Sequence, residues 1–154
     1  MRPKPWRAIL GGSVGTAVMS GMMYLFAPLV MSKPPDIATM IDGAAYWLPA
    51  ILLHFINGSF TLPLAYGYLA FRFLPGQPWL RGALWGLILW ALAELLVMPL
   101  MGAGPFSDDA GSVTVITTMV LFSAHLVYGT LLGWIGGYAG ERSERLPEAT
   151  KLAA

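Results

Sequence analysis

His54 and His125 are the only histidines in the chain, and each is followed four residues later by a glycine, Gly58 and Gly129. Two neutral imidazoles reaching inward from facing helices, each with a side-chain-free residue one turn away, suit axial ligation of a b-type haem. Ala65 and Gly136 continue the two faces as i, i+4, i+11 series, which would leave a smooth strip for a flat ligand. Haem b is therefore the expected cofactor, with His54 and His125 as metal ligands and Gly58 and Gly129 lining it. It would be non-covalent, because the chain has no cysteine. Three other ligand types suit the same pair: a copper or zinc ion drawing on Met98 or Met23, a quinone, or a chlorin. The plainer alternative is a structural pair, each imidazole hydrogen-bonded to a carbonyl or to a residue such as Ser59, Asn57, Ser123 or Thr130.

Glu94 is the one carboxylate deep inside an apolar block. An ionised acid at a bilayer centre costs on the order of 2.5–3.5 kcal/mol on insertion scales, so Glu94 is expected to be protonated or paired. It either carries protons beside a redox or quinone site, or is a neutral acid bonded to Thr16 or Ser20. No hydrolytic constellation can be drawn. Cysteine is absent, and Asp108 and Asp109 beside Gly111 read as a solvated turn before a helix. No independent catalytic activity is expected.

The elements that must position these residues are apolar. Of 154 residues 56% are hydrophobic, and nine Lys or Arg and eight Asp or Glu leave a net charge of +1. This is far below the roughly one-quarter charged content of soluble domains. The apolar residues fall in four blocks, each able to cross a bilayer as a helix of about 20 residues. The expected spans are 8–31, 46–73, 80–101 and 113–139, forming one all-α, integral-membrane four-helix bundle over 1–140 with a charged tail at 141–154. The first block is too long for a signal-peptide core of about 7–15 residues and is expected to be retained.

Arg2, Lys4, Arg7, Arg72, Arg81, Arg142, Arg145 and Lys151 then fall on one side, and Lys33 alone among basic residues on the other. The positive-inside rule makes both termini cytoplasmic. Trp6, Tyr46, Trp47, Trp79 and Tyr138 stand at expected interfaces, and Leu74–Pro78 reads as a tight turn. No basic stripe suggests nucleic-acid binding.

Laying the chain on itself so that His54 falls on His125 also brings Gly11 onto Gly82, Gly15 onto Gly86, Leu25 onto Leu96, Pro28 onto Pro99, Leu29 onto Leu100 and Gly58 onto Gly129. The expected architecture is two repeated helical hairpins about a pseudo-two-fold along the membrane normal. Counting about 1.5 Å per residue from the flanking arginines puts His54 about 27 Å, His125 about 25 Å, Met98 about 25 Å and Tyr24 about 25 Å outward. The histidines would thus share one level in the external half. Glu94, about 20 Å out, would lie one turn to the cytoplasmic side.

The run Pro99-Leu-Met-Gly-Ala-Gly-Pro105 after a glycine-rich third helix, with Ala124-His-Leu-Val-Tyr128 and the second-helix histidine, resembles the YagU-like family of small bacterial inner-membrane proteins. Its function is unknown. The resemblance spans roughly Tyr46 to Tyr138 and implies a multi-pass protein of the bacterial inner membrane. It supplies no catalytic residues, and the compact first external connection departs from the family's longer one. Two functions follow from the residues. One is a b-haem electron-transfer subunit, in contact with a quinone or other subunits. The other is a non-catalytic accessory subunit of a larger respiratory complex.

Overall fold

The computed structural model describes residues 4–30, 48, 49, 51–100 and 112–137. Four helices make up the described fold: α1 (Pro5–Val30), α2 (51–70), α3 (Pro78–Leu100) and α4 (Ser112–Gly136). Among the described residues three stretches are long and apolar enough to cross a membrane, Pro5–Phe26, Pro78–Leu100 and Val115–Gly136. These match three of the expected spans. The second expected span is helical from 51 to 70 but is not among the three. The connections expected to be external, the expected tail, Tyr46, Trp47, Tyr138, Asp108, Asp109 and most of the Pro99–Pro105 run lie outside the described residues.

Local sequence explains the breaks. Pro5 opens α1 and Pro78 opens α3, positions where a missing N–H removes a donor that has no intrahelical partner anyway. Between α2 and α3 the chain turns tightly, as its Pro and Gly content predicts. Gly76 takes φ +93°, and Gln77 is extended before Pro78. Two stretches of α2, Asn57–Thr61 and Tyr66–Ala70, and one of α3, Ala93–Val97, are π-helical.

α4 packs along both α1 and α3, and α1 also packs along α2. The core comprises Met19, Tyr66, Phe71, Leu89, Ala124, Tyr128 and Leu132, all buried. One end of the bundle gathers the start of α1, the α2–α3 turn and the end of α4. There the Arg7 Nε–H donates to the Ile135 carbonyl at 3.2 Å, the Tyr66 hydroxyl to that of Pro78 at 3.3 Å, and the Arg81 guanidinium lies 4.5 Å from the Phe71 ring centre. Large apolar side chains elsewhere, Leu25, Leu53, Leu95 and Trp134 among them, face outward.

The glycines matched by the repeat seat on a single helix. Gly11 lies against Leu132 and Gly136 of α4, and Gly15 against Tyr128. Gly82 and Gly86 also lie against α4, at Gly129, Gly133 and the His125 carbonyl. A two-fold would instead seat Gly11 and Gly15 on α2, where the contact is made by Gly12 and Thr16. The similarity of the two sequence halves is not carried into the packing at these positions.

Candidate functional site

The site begins with a proline. In the π stretch Asn57–Thr61 the Leu62 N–H bonds the Asn57 carbonyl five residues back. In that register the next donor, for the Gly58 carbonyl, is Pro63, which has no N–H. The Tyr128 hydroxyl of α4 supplies it, donating to the Gly58 carbonyl at 2.8 Å. Gly58 lets α1 approach, because a Cβ there would fall on the Thr16 side chain. Thr16 is itself buried and donates to the Gly12 carbonyl at 2.8 Å.

One turn along α2, the His54 ring meets α1. Its Nε2 lies 3.3 Å from the Ser20 hydroxyl. The His125 Nδ1 lies 2.8 Å from the Leu121 carbonyl, one turn back on α4. A carbonyl only accepts, so Nδ1 carries the hydrogen and the Nε2 lone pair is left for another group. The two imidazoles line one cavity of about 150 Å³, together with Thr16, Met19, Asn57, Leu89 and Tyr128. All four helices contribute to its wall, and the wall is mixed polar and apolar.

Both histidines line this one cavity, but its position along the helices differs from the expected level. Thr16 and Met19 stand near the middle of α1, and Leu89 near the middle of α3, so the cavity is at mid-helix and not in the outer half. Arg142 misleads as a ruler because Gly136 already lies against Ala8, level with the start of α1. Arg72 misleads because two π stretches intervene, each placing more residues in a turn than an α-helix does. Tyr24, counted to about the histidine level, is 86% exposed, and the residue of α1 that meets His54 is Ser20.

Glu94 is buried at 1% exposure within the π stretch of α3. It lies beyond Leu89 toward Leu100, on the other side of the cavity from that expected, and does not line it. Thr16 and Ser20, its expected partners, are engaged with Gly12 and His54. Ser123 and Thr130 donate to the carbonyls of Met119 and Leu126 on their own helix and not to a histidine. Met98 and Met23 do not line the cavity, whereas Met19 does. No group of three or more His, Cys, Asp or Glu that could hold a metal ion occurs among the described residues.

The space is small for a haem. A cavity of 150 Å³ accommodates a single six-membered ring, whereas sites for larger ligands are about 300–1,000 Å³. Of the two glycines expected to make room, Gly58 lines the cavity beside Thr16, whereas Gly129 is closed over, since a Cβ there would meet the backbone of Gly82 and Gly86. As packed here, the residues do not fit a macrocycle.

Sequence reading alone did not single out Tyr128 or Met19 for this wall. Tyr128 follows His125 by three residues and so shares its face, a signal that was present. Neither a curated protein nor a solved structure matches the chain. Residues 3–146 match a family of unknown function, DUF6789, whereas the YagU-like resemblance rests on its short motifs alone. With nearly its whole length covered, the chain belongs to the DUF6789 family of unknown function.

Proposed function

We propose that this protein is a four-span membrane protein that holds the single-ring head group of a quinone or quinol between His54 and His125 and serves electron transfer there. The observation that carries the reading is the shared cavity. Two histidines from α2 and α4 meet Asn57, Thr16 and Tyr128 around a space sized for one ring, with Met19, Leu62 and Leu89 as apolar wall. Polar groups at the centre of a membrane bundle are costly, and small-molecule sites recur between bundle helices.

The finer topology belongs to the same proposal. Both termini are cytoplasmic, the membrane is a bacterial inner membrane, and the chain arose from two hairpins. Arg7, Arg72 and Arg81 gathered at one end of the bundle support the orientation. A second reading has one observation in its favour: each imidazole already has a hydrogen-bond partner. That suits a non-catalytic accessory subunit of a respiratory complex with structural histidines.

The test is calorimetric titration of the purified protein in detergent with decylubiquinol and decylubiquinone, repeated on His54→Ala and His125→Ala. Saturable binding weakened about tenfold or more in both variants is expected, equivalent to about 1.4 kcal/mol. Binding of neither compound would overturn the reading in favour of the accessory subunit. A reduced-minus-oxidised spectrum on the same preparation keeps haem in view. Haem b bands lost in both variants would replace the quinone by haem and require the helices to part around it.

A further inference from the structure

We infer that the cavity selects for redox state, taking the quinol in preference to the quinone; this rests on the reading above. The inference follows from where the wall's hydrogens are already committed. Tyr128 gives its hydroxyl hydrogen to the Gly58 carbonyl at 2.8 Å. Thr16 gives its own to the Gly12 carbonyl at 2.8 Å. The His125 Nδ1–H goes to the Leu121 carbonyl at 2.8 Å. None of the three acceptors can return a hydrogen, so the direction of each bond is fixed by chemistry.

What these three residues have left to offer a ligand is lone pairs: Nε2 of His125, Oη of Tyr128 and Oγ1 of Thr16. All three residues line the cavity. His54 and Asn57 are the remaining polar residues of the wall, and both can act either way. A quinone ring carries two carbonyl oxygens and can only accept. A quinol carries two O–H groups and can donate both. The acceptor-rich wall therefore satisfies a quinol, whereas a quinone carbonyl placed against His125 Nε2 faces another lone pair. Leaving a buried polar group unmatched is the larger penalty in such a comparison.

Two measurements on the unaltered protein decide the matter. In anaerobic calorimetry, decylubiquinol is expected to bind about tenfold or more tightly than decylubiquinone. Equal affinities, or a tighter quinone, would overturn the selectivity while leaving the quinone site standing. Binding of neither would overturn both. In long-range nitrogen-15 NMR of labelled histidine, which has only two rings to assign, His125 is expected as the Nδ1–H tautomer with an unprotonated Nε2. That Nε2 resonance should shift on adding quinol. An Nε2–H tautomer for His125, or no response to bound quinol, would overturn the inference.

Discussion

At Gly58 the neighbouring helix presents a side chain, and at Gly129 it presents backbone. The first contact is Thr16 of α1 against α2. The second is Gly82 and Gly86 of α3 against α4, with Gly133 extending the same seam. The two glycines stand in the same place relative to a histidine, yet one lies where helices part around a cavity and the other where they close completely. The difference traces to Pro63. It removes the donor expected for the Gly58 carbonyl, and the replacement must come from a long side chain, Tyr128. At Gly58 the side chains of Thr16 and Tyr128 stand between the helices, whereas at Gly129 α3 and α4 meet backbone on backbone through Gly82, Gly86 and Gly133.

The largest expected effect breaks the closed side. In Gly129→Ala the new methyl group falls on the Gly82 carbonyl and the Gly86 backbone, which cannot rotate away, so α3 and α4 must separate. A loss of about 3 kcal/mol is expected in reversible detergent unfolding. In Gly58→Ala the obstacle is the Thr16 side chain, which can turn at the expense of its bond to Gly12, and a loss of about 1–2 kcal/mol is expected. Equal losses in the two variants would show that the sides do not differ as described.

Next in size is Tyr128→Phe. It leaves the Gly58 carbonyl buried with neither a hydroxyl nor, because of Pro63, a backbone donor, at a cost of about 2 kcal/mol. The test that sharpens the comparison is a double-mutant cycle. Pro63→Ala restores an N–H to α2, so Tyr128→Phe should cost less in that background than in the native one. Additive losses would mean that the hydroxyl does not stand in for the missing N–H.

Much of this was legible beforehand, and the illegible part has a physical cause. The apolar blocks gave the long helices of Pro5–Phe26, Pro78–Leu100 and Val115–Gly136, because span length and charge exclusion are properties of a segment alone. Both histidines line one cavity, as expected of polar groups that an apolar helix turns away from lipid. Depth differs from the count for two reasons: π turns break the uniform rise between His54 and Arg72, and α4 is already level with the start of α1 at Gly136, short of Arg142. The sequence offers Ser20 only as one possible partner of Glu94, whereas the structure sets its hydroxyl 3.3 Å from the His54 ring; which inward group a serine meets depends on helix rotation, which an apolar pattern does not fix.

The smallest effect separates the two histidines from each other. His125 is oriented by a carbonyl of its own helix, one turn back, and keeps that partner whatever the other helices do. His54 is oriented by Ser20 on α1, so its ring depends on how α1 and α2 sit together. Ser20→Ala removes that bond at a cost of about 0.6 kcal/mol, the average for an interhelical hydrogen bond in a membrane bundle. Unfolding measurements will barely register it, but the nitrogen-15 spectrum should. The His54 resonances are expected to move toward a mixture of both tautomers as the ring loses its reference, while those of His125 stay in place. A change at His125 instead, with His54 unmoved, would mean that the two rings are not held in the separate ways that their partners imply.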